Sequence, residues 1–577
     1  MSTPTAAVAP STARSSRPLP RDAAGPVADA LVLVVLLLAC GVVVATAADL
    51  LGLRPFVSRG PAVGATLVVL APVLAVAAHL RRARAGDRPA GRTGRRGEVG
   101  RALLVAAPAL LLVAVLVWSL SLPTAQRLEW FIGGDHVRHV VLVADERARG
   151  ALDYSQRNYP RAWHTTVALG WSLTGPPSGR ADLVGLLGLM SALVWMLSAA
   201  LALATSSLTS AAARRVRLGP WTAAAAAAAA GAATLWPAFL ANYQALGFEG
   251  SLTAALVVAV ALREVLVRPA SLVASLTAWA GLLVMANTWQ LLLPVSGLLA
   301  LAATVARVRA AGPGGRRRRL AEAAALVSVT ALSSVPAMTA VVGTVGVGHA
   351  VVADVEAPVP LWLLGVGLAA LGVLAARYRH DRGMLLVLAV SVLPALTALG
   401  LAVRLGIPVT RYYPAKLLWH TTVLGLAWTA VVAGGAWAGA GARALPGLLG
   451  RAVLGTAAGA VALGAVVTPL GAFSREWSTV DAATVLRLLE VPGAERAQVV
   501  WSSGPLVTDA ATRILLDGYR PEAGRVDTPQ GGLTVAQECD LLRAATDPTV
   551  LSDHPQDEVR ARYACVAGLT VLGPGAG

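Results

Sequence analysis

The sequence has 577 residues, of which 56% are hydrophobic and 14% charged, and its mean hydropathy is +0.66. Soluble domains carry about 25% charged residues, so this composition excludes a soluble protein and indicates that most of the chain lies in a membrane. A net charge of +17 is also typical of nucleic-acid-binding proteins, but the positions of the basic residues favour a membrane protein instead.

Apolar runs of about 20 residues, the length that crosses a bilayer core, recur along the chain. We predict thirteen membrane-spanning helices, at 27–48, 61–80, 102–122, 182–205, 220–240, 251–268, 270–286, 290–306, 320–342, 361–376, 384–403, 416–436 and 452–472. Residues 1–26 are predicted to be a disordered cytoplasmic tail, because they are rich in Pro, Ser and Ala. The predicted fold class is an all-α polytopic membrane protein with a small C-terminal extracytoplasmic α/β domain at 473–577.

Basic residues are distributed very unequally between the two sides of these spans. The tail and every second connection hold 27 arginines against five acidic residues, whereas the rest of the chain holds 21 basic against 26 acidic residues. Basic residues concentrate on the cytoplasmic side of membrane proteins, so the bias predicts a multi-pass plasma-membrane protein with a cytoplasmic N-terminus and an extracytoplasmic C-terminus. It also explains the net charge without any nucleic-acid partner.

The first long outer connection, 123–181, contains an acidic residue at the start of a predicted helix. Residues after Gly134 have apolar side chains at helical spacing, which predicts a helix lying at the membrane interface. Three roles are open to Asp135 at its start. It could cap the helix, act as a general base restrained by Arg138, or bind a divalent cation together with His136 and His139.

The same connection continues with a polar and aromatic stretch that includes Asn158, Tyr159, Trp163 and His164. The apolar run that follows, 165–173, is too short to span and is predicted to lie along the membrane or dip into it. His164 precedes this run, where it either binds a phosphate or hydroxyl group or is satisfied by the backbone at a helix start.

Rare residue types collect on the outer side of the predicted spans. The chain has 47 Arg but only three Asn, all in predicted outer segments, and a single Lys, Lys416, at the outer mouth of the twelfth span. We predict that these segments converge on an outward cavity that binds a polar ligand such as a sugar, with Trp side chains as flat apolar walls. The substrate-binding candidates are Arg138, His139, Asn158, Tyr159, Trp163, Asn242, Tyr243, Asn287, Trp289, Gln290, Tyr412 and Tyr413, beside Lys416. The alternative is that Trp and Tyr mark the membrane interface and that Asn and Gln cap helix ends.

The predicted spans contain almost no ionisable side chains, because Arg263, Glu264 and Glu322 fall at their cytoplasmic ends. Ion-coupled transporters place such groups along their pathway. The scarcity of ionisable side chains in the predicted spans therefore disfavours an ion-coupled carrier.

The C-terminal tail mixes β-like and helical patterns. The runs 498–501 and 567–572 favour strands, and 508–516 and 534–545 favour helices, which together predict a small α/β domain. Cys539 and Cys565 both lie in this tail on the outer side, so a disulfide between them is expected.

These features together resemble the GT-C superfamily of membrane glycosyltransferases, especially the actinobacterial branch that includes arabinofuranosyltransferases. The resemblance covers residues 27–472 and rests on three places, which are Asp135 before an interfacial helix, Tyr159-Pro160 followed by Trp163-His164, and Arg411-Tyr412-Tyr413 with Lys416. Three features depart from the family. Asp135 is followed by His136 where many relatives have an Asp-Glu or Asp-Asp pair, and Arg161-Ala162 replaces the Pro-Gly of many relatives. Asp135 also follows the third predicted span instead of the first.

The resemblance implies transfer of a sugar from a polyprenyl-phosphate carrier to a hydroxyl group of a cell-envelope glycan or lipid, outside the cytoplasm. Asp135 would then be the base of one inverting displacement, and Arg411, Lys416 and His164 would hold the donor phosphate. The sequence establishes no cofactor, and a divalent cation stays an open alternative. A flippase or exporter of a lipid-linked glycan and a non-catalytic assembly subunit are the competing functions.

Overall fold

Helices make up most of the described chain. A computed structural model describes residues 25–86, 95–132, 135–152, 161–175, 182–234, 249–345, 361–444, 480–519 and 533–574. The helices before residue 445 are, in chain order, α1 (Gly25–Leu50), α2 (Arg59–Gly86), α3 (Arg95–Ser119), α4 (Thr124–Leu128), α5 (Asp135–Arg149), α6 (Ala162–Leu173), α7 (Leu183–Arg215), α8 (Pro220–Ala233), α9 (Glu249–Val267), α10 (Leu272–Ala286), α11 (Leu293–Ala310), α12 (Pro313–Val345), α13 (Leu361–Arg377), α14 (Arg382–Leu405) and α15 (Tyr412–Ala444).

The longer helices coincide with the apolar runs of the sequence. Among the residues that the structure describes, nine helices are long and apolar enough to cross a membrane, and α10 and α13 are shorter apolar helices of 15 and 17 residues. The chain is thus a helical, multi-pass membrane protein. The described part of the predicted span 220–240 is helical in α8, and the predicted span 452–472 lies outside the described residues.

One end of the helix bundle is held by ion pairs between arginines and acidic side chains. Arg215, at the end of α7, donates hydrogen bonds of 2.8 and 2.9 Å to Asp381, which precedes α14. Arg268, which follows α9, lies 3.0 Å from Asp29 near the start of α1. Both arginines belong to segments that the sequence predicts to be cytoplasmic.

The opposite end of the bundle carries the two short helices α5 and α6. Helix α5 packs against α6 and α7, and α6 packs against α1, α2 and α9. The backbone N–H of Ala162, the first residue of α6, donates to the carbonyl of Asn287 at the end of α10, at 2.8 Å. With twelve residues, α6 is too short to cross a membrane, as its sequence predicts.

Helices α13 and α15 cross at a contact between two glycines. A Cβ atom on Gly367 would lie 2.9 Å from the Cα of Gly425, and a Cβ on Gly425 would lie 2.8 Å from the Cα of Gly367. Small residues allow such close approach, which is how helices gain contact area within a membrane. Any side chain at this crossing must push the two helices apart.

We expect Gly367→Ala to destabilise the protein by about 1–3 kcal/mol, the usual effect of overpacking. Gly365 is the matched control, because it lies in the same helix and has no atom within 4 Å of an added Cβ. Gly365→Ala should leave stability unchanged or raise it by up to about 1 kcal/mol, since Ala favours helix over Gly. Thermal unfolding in detergent measures both variants, and equal melting temperatures would contradict the close crossing.

The C-terminal residues form a small α/β unit. Its strands β1 (Val499–Trp501), β2 (Thr549–Ser552) and β3 (Thr570–Leu572) make a parallel sheet in the order β1-β2-β3. Its helices are α16 (Ala482–Leu489), α17 (Leu506–Leu516), α18 (Val535–Ala544) and α19 (Gln556–Arg562). Strands β1 and β3 fall within the two predicted strand runs, whereas the sequence analysis did not predict β2. Cys539 and Cys565 form a disulfide, which is the expected pairing.

The α/β unit packs directly on the membrane bundle. Helix α17 and the turn Asp517–Tyr519 contact α5, and α16 contacts α4. Ala511 and Leu515 of α17 belong to the same buried apolar cluster as the bundle, whereas Leu516 belongs to the core of the unit itself. Helix α5 is therefore enclosed between the bundle and the α/β unit.

Asp509 of α17 has a carboxyl group whose ionised form is unfavourable in the folded unit. The backbone N–H of Ser502 donates to Asp509 at 2.8 Å, but burial dominates and raises the pKa of Asp509 from 3.8 to about 7. The folded unit therefore holds a proton that the unfolded chain releases between about pH 4 and pH 7.

We expect the stability of the α/β unit to fall as the pH rises from about 4 to 7, by at most about 1.4 kcal/mol per pH unit. Hydrogen exchange of the β1 amides in the full-length protein measures this slope. Asp509→Asn removes the titrating group and should flatten the slope. If Asp509→Asn keeps the wild-type dependence of stability on pH, groups other than Asp509 cause that dependence.

Candidate functional site

A buried carboxyl group joins α9 to α5. His136 and His139 lie on one face of α5, because residues three apart in a helix are neighbours. Nδ1 of His136 lies 3.0 Å from Oε1 of Glu249, the first residue of α9, and Nε2 of His139 lies 4.0 Å from Oε2. All three side chains are buried. When Glu249 is ionised its carboxylate only accepts hydrogen bonds, and in that state Nδ1 of His136 is the donor of this contact.

Helix α6 extends this network. Nδ1 of His139 lies 2.9 Å from Nε2 of His164, whose side chain is completely buried. Burial lowers the pKa of His164 well below its ordinary value of 6.5, and the neighbouring His139 and Arg161 lower it further. His164 is therefore a neutral imidazole within a hydrogen-bonded chain that runs from Glu249 through α5 to α6.

Helix α15 adds two buried basic side chains near the start of α9. Lys416 and His420 lie one turn apart, and each is 2% exposed. Nε2 of His420 lies 2.9 Å from the hydroxyl oxygen of Ser251, two residues after Glu249. The ring of His420 packs on that of Trp289, with centroids 4.8 Å apart. A cavity of about 10 Å³ adjoins His420, which is room for about one water molecule.

A second polar contact joins α5 to α6. The hydroxyl of Thr165 donates to Oε2 of Glu146 at 3.1 Å, and Nη1 of Arg161 lies 3.7 Å from Oε1. Burial raises the pKa of Glu146 to about 8, although Arg161 and Thr165 act in the opposite direction. Together with the contact between His139 and His164, this cluster holds the two short helices as one unit.

Two substrate-binding candidates use their amide groups within the fold. Nδ2 of Asn287 donates to the carbonyl of Leu283 at 3.0 Å, and Nε2 of Gln290 donates to the carbonyl of Ala286 at 3.0 Å. These bonds satisfy carbonyls at the end of α10. Both amides therefore contribute to satisfying the end of α10, and sugar binding by these residues stays a prediction.

The other candidates fall into three groups. His139, Trp163, His164, Trp289 and Lys416 are buried at the α5–α6 end of the bundle. Arg138, Arg411 and Tyr413 are half-buried. Outside the described residues lie Asn158, Tyr159, Asn242 and Tyr243, together with the side chains of Asp135 and Tyr412. The backbone of Asp135 is described and begins α5.

Two residues of the network were not predicted from the sequence. The sixth predicted span begins at residue 251, which leaves Glu249 outside, and the predicted spans were described as nearly free of ionisable groups although His420 lies within 416–436. That description was wrong, because Glu249, Lys416 and His420 are buried in α9 and α15. An acidic residue directly before an apolar run, and a histidine one turn after the single lysine, were the available signals.

A cation site at Asp135, His136 and His139 stays a prediction. Within the described ranges, no group of three or more His, Cys, Asp or Glu side chains is arranged to hold a metal ion. The side chain of Asp135 lies outside those ranges, so the complete ligand set is not tested.

Comparisons with protein-family models, with curated proteins and with solved structures give no match. The most informative geometry is the network around Glu249, because it gathers ionisable side chains at one end of a membrane bundle.

Proposed function

We propose that this chain is an inverting glycosyltransferase of the GT-C type, which moves a sugar from a polyprenyl-phosphate donor to a cell-envelope glycan or lipid. One observation carries the proposal. The buried network around Glu249 holds the helix that Asp135 begins. Ionisable side chains inside a membrane domain are costly and usually functional, and here they adjoin the candidate base along the chain.

The proposed side of the membrane follows from the distribution of charge. The Arg215–Asp381 and Arg268–Asp29 pairs lie at the end of the bundle opposite Glu249. Arginine-rich segments favour the cytoplasm, so we infer that the network faces the extracytoplasmic side of the plasma membrane. Nucleotide sugars are cytosolic, which favours a sugar donor that is carried by a membrane lipid.

In the proposed reaction, the oxygen of an acceptor hydroxyl attacks the anomeric carbon while the bond from that carbon to the phosphate oxygen breaks. Asp135 takes the hydroxyl proton as general base, and the carrier leaves as polyprenyl phosphate. Arg411 and Lys416 stabilise the negative charge of the leaving phosphate. His164, the third donor-phosphate candidate, is completely buried and contacts His139 at 2.9 Å.

Residues close in sequence to the Glu249 network carry side chains that can bind a sugar. Asn158 and Tyr159 closely precede Arg161, and Asn242 and Tyr243 precede Glu249. Amides and phenols can hydrogen-bond sugar hydroxyls. We therefore keep these four residues as sugar- or acceptor-binding candidates.

Membranes that contain the full-length protein and a panel of radiolabelled polyprenyl-phosphate sugars test this proposal. A transferase moves label from the carrier to a glycan or lipid acceptor. A flippase or exporter would leave the label on its carrier and change only its leaflet, and an assembly subunit would do neither. Either of these two results, obtained with folded protein, would overturn the proposal.

A further inference from the structure

Glu249 has an unusual environment for an acidic side chain. It is the first residue of the 19-residue helix α9 and is 1% exposed. Its Oε2 atom has no hydrogen-bond partner among the described residues. A helix N-terminus favours negative charge, yet an ionised carboxylate buried this deeply costs several kcal/mol unless its partners compensate. Ionisable groups buried in a membrane domain at this cost usually have a functional role.

The partners of Glu249 are the residues that fix α5 and α6. Oε1 contacts His136, the second residue of α5, at 3.0 Å, and His136 directly follows Asp135. Oε2 faces His139 at 4.0 Å, and His139 in turn contacts His164 of α6 at 2.9 Å. The Glu249 carboxyl group therefore fixes the position of the first turn of α5 along α9. It also fixes the rotation of α5 about its own axis.

We propose that Glu249 is a positioning residue for glycosyl transfer, because it holds the first turn of α5, and with it the backbone of Asp135, in the working position. This inference rests on the proposed function. Glu249→Gln keeps the size of the side chain and one acceptor oxygen but removes the negative charge that attracts both imidazoles. A displacement of about 1 Å costs about 100-fold in rate, so the loss should appear in kcat.

Glu264 provides a matched control. It lies in the same helix, is equally buried, and pairs with Arg263 and Arg268 at the opposite end. In the full-length protein, Glu249→Gln should lower kcat for label transfer about 100-fold while the donor KM stays within about threefold. Glu264→Gln should lower the melting temperature but keep kcat within about threefold. Unchanged kcat in Glu249→Gln, or an equal loss of kcat in both variants, would overturn the inference.

A second measurement tests the contact without the reaction. Glu249→Gln and His136→Gln should each lower the melting temperature. The double variant should lose little more than the larger single loss, because both changes remove the same contact. If the losses in melting temperature are additive while the wild type transfers label, the positioning role of Glu249 is overturned and the proposed function stands. A folded wild type without transfer would overturn the proposed function, and the positioning role with it.

Discussion

Replacing Asp135 by Asn should lower the rate of sugar transfer by about 10²- to 10⁴-fold, which is the usual contribution of a general base. Asn has nearly the same size but does not accept a proton from the acceptor hydroxyl. Asp135 begins α5, and the contact between His136 and Glu249 holds the first turn of that helix. The exchange should therefore change the chemistry and leave the helix in place. The measurement is the initial rate of label transfer by equal amounts of wild type and variant.

Glu129→Gln is the control for this experiment. Glu129 is a half-buried carboxyl group in the same outer connection, six residues before Asp135. Its exchange should keep the rate within about threefold, since no step of the reaction uses it. If Asp135→Asn retains about a tenth of the activity or more, Asp135 is not the base.

Replacing Leu515 by Asp should detach the α/β unit from the bundle. Leu515 is fully buried in the apolar cluster that α17 shares with the bundle. Burying a charge there costs about 3 kcal/mol or more, because the lost apolar contact adds to the desolvation of the carboxylate. Helix α5 would lose its outer cover, so we expect transfer to fall about 10-fold or more. Limited proteolysis of α5 and the rate of label transfer report the two effects.

Leu506→Asp separates this docking effect from a general effect of the added charge. Leu506 lies in the same helix and is 59% exposed. Its exchange should leave both proteolysis and transfer close to wild type, because surface changes usually cost less than about 0.5 kcal/mol. If proteolysis and transfer change equally in Leu515→Asp and Leu506→Asp, the docking of α17 on α5 is contradicted.

The sequence predicts the membrane helices well because each one is an apolar run of its own, so the signal is local. The runs 27–48 and 384–403, for example, lie within α1 and α14. The short strand β2 was missed for the opposite reason. Its four residues are buried between β1 and β3, and periodicity does not distinguish a short buried strand from a helix segment.

The candidate site was only partly predictable, because its contacts join distant parts of the chain. His136 and Glu249 are 113 residues apart, and Ser251 and His420 are 169 residues apart. A single sequence does not show such pairs. It indicates unusual residues, such as Lys416 and His164, and leaves their partners open. The rarity of Asn287 marks it as unusual, for example, but does not show that its amide donates to the end of its own helix.

The most direct test of the account is reconstitution of the purified full-length protein in liposomes that contain a labelled polyprenyl-phosphate sugar and an envelope-type acceptor. A glycosyltransferase predicts label in the acceptor and release of one polyprenyl phosphate for each sugar transferred. Folded protein that leaves every donor of the panel intact would show that the chain is not a glycosyltransferase of this kind.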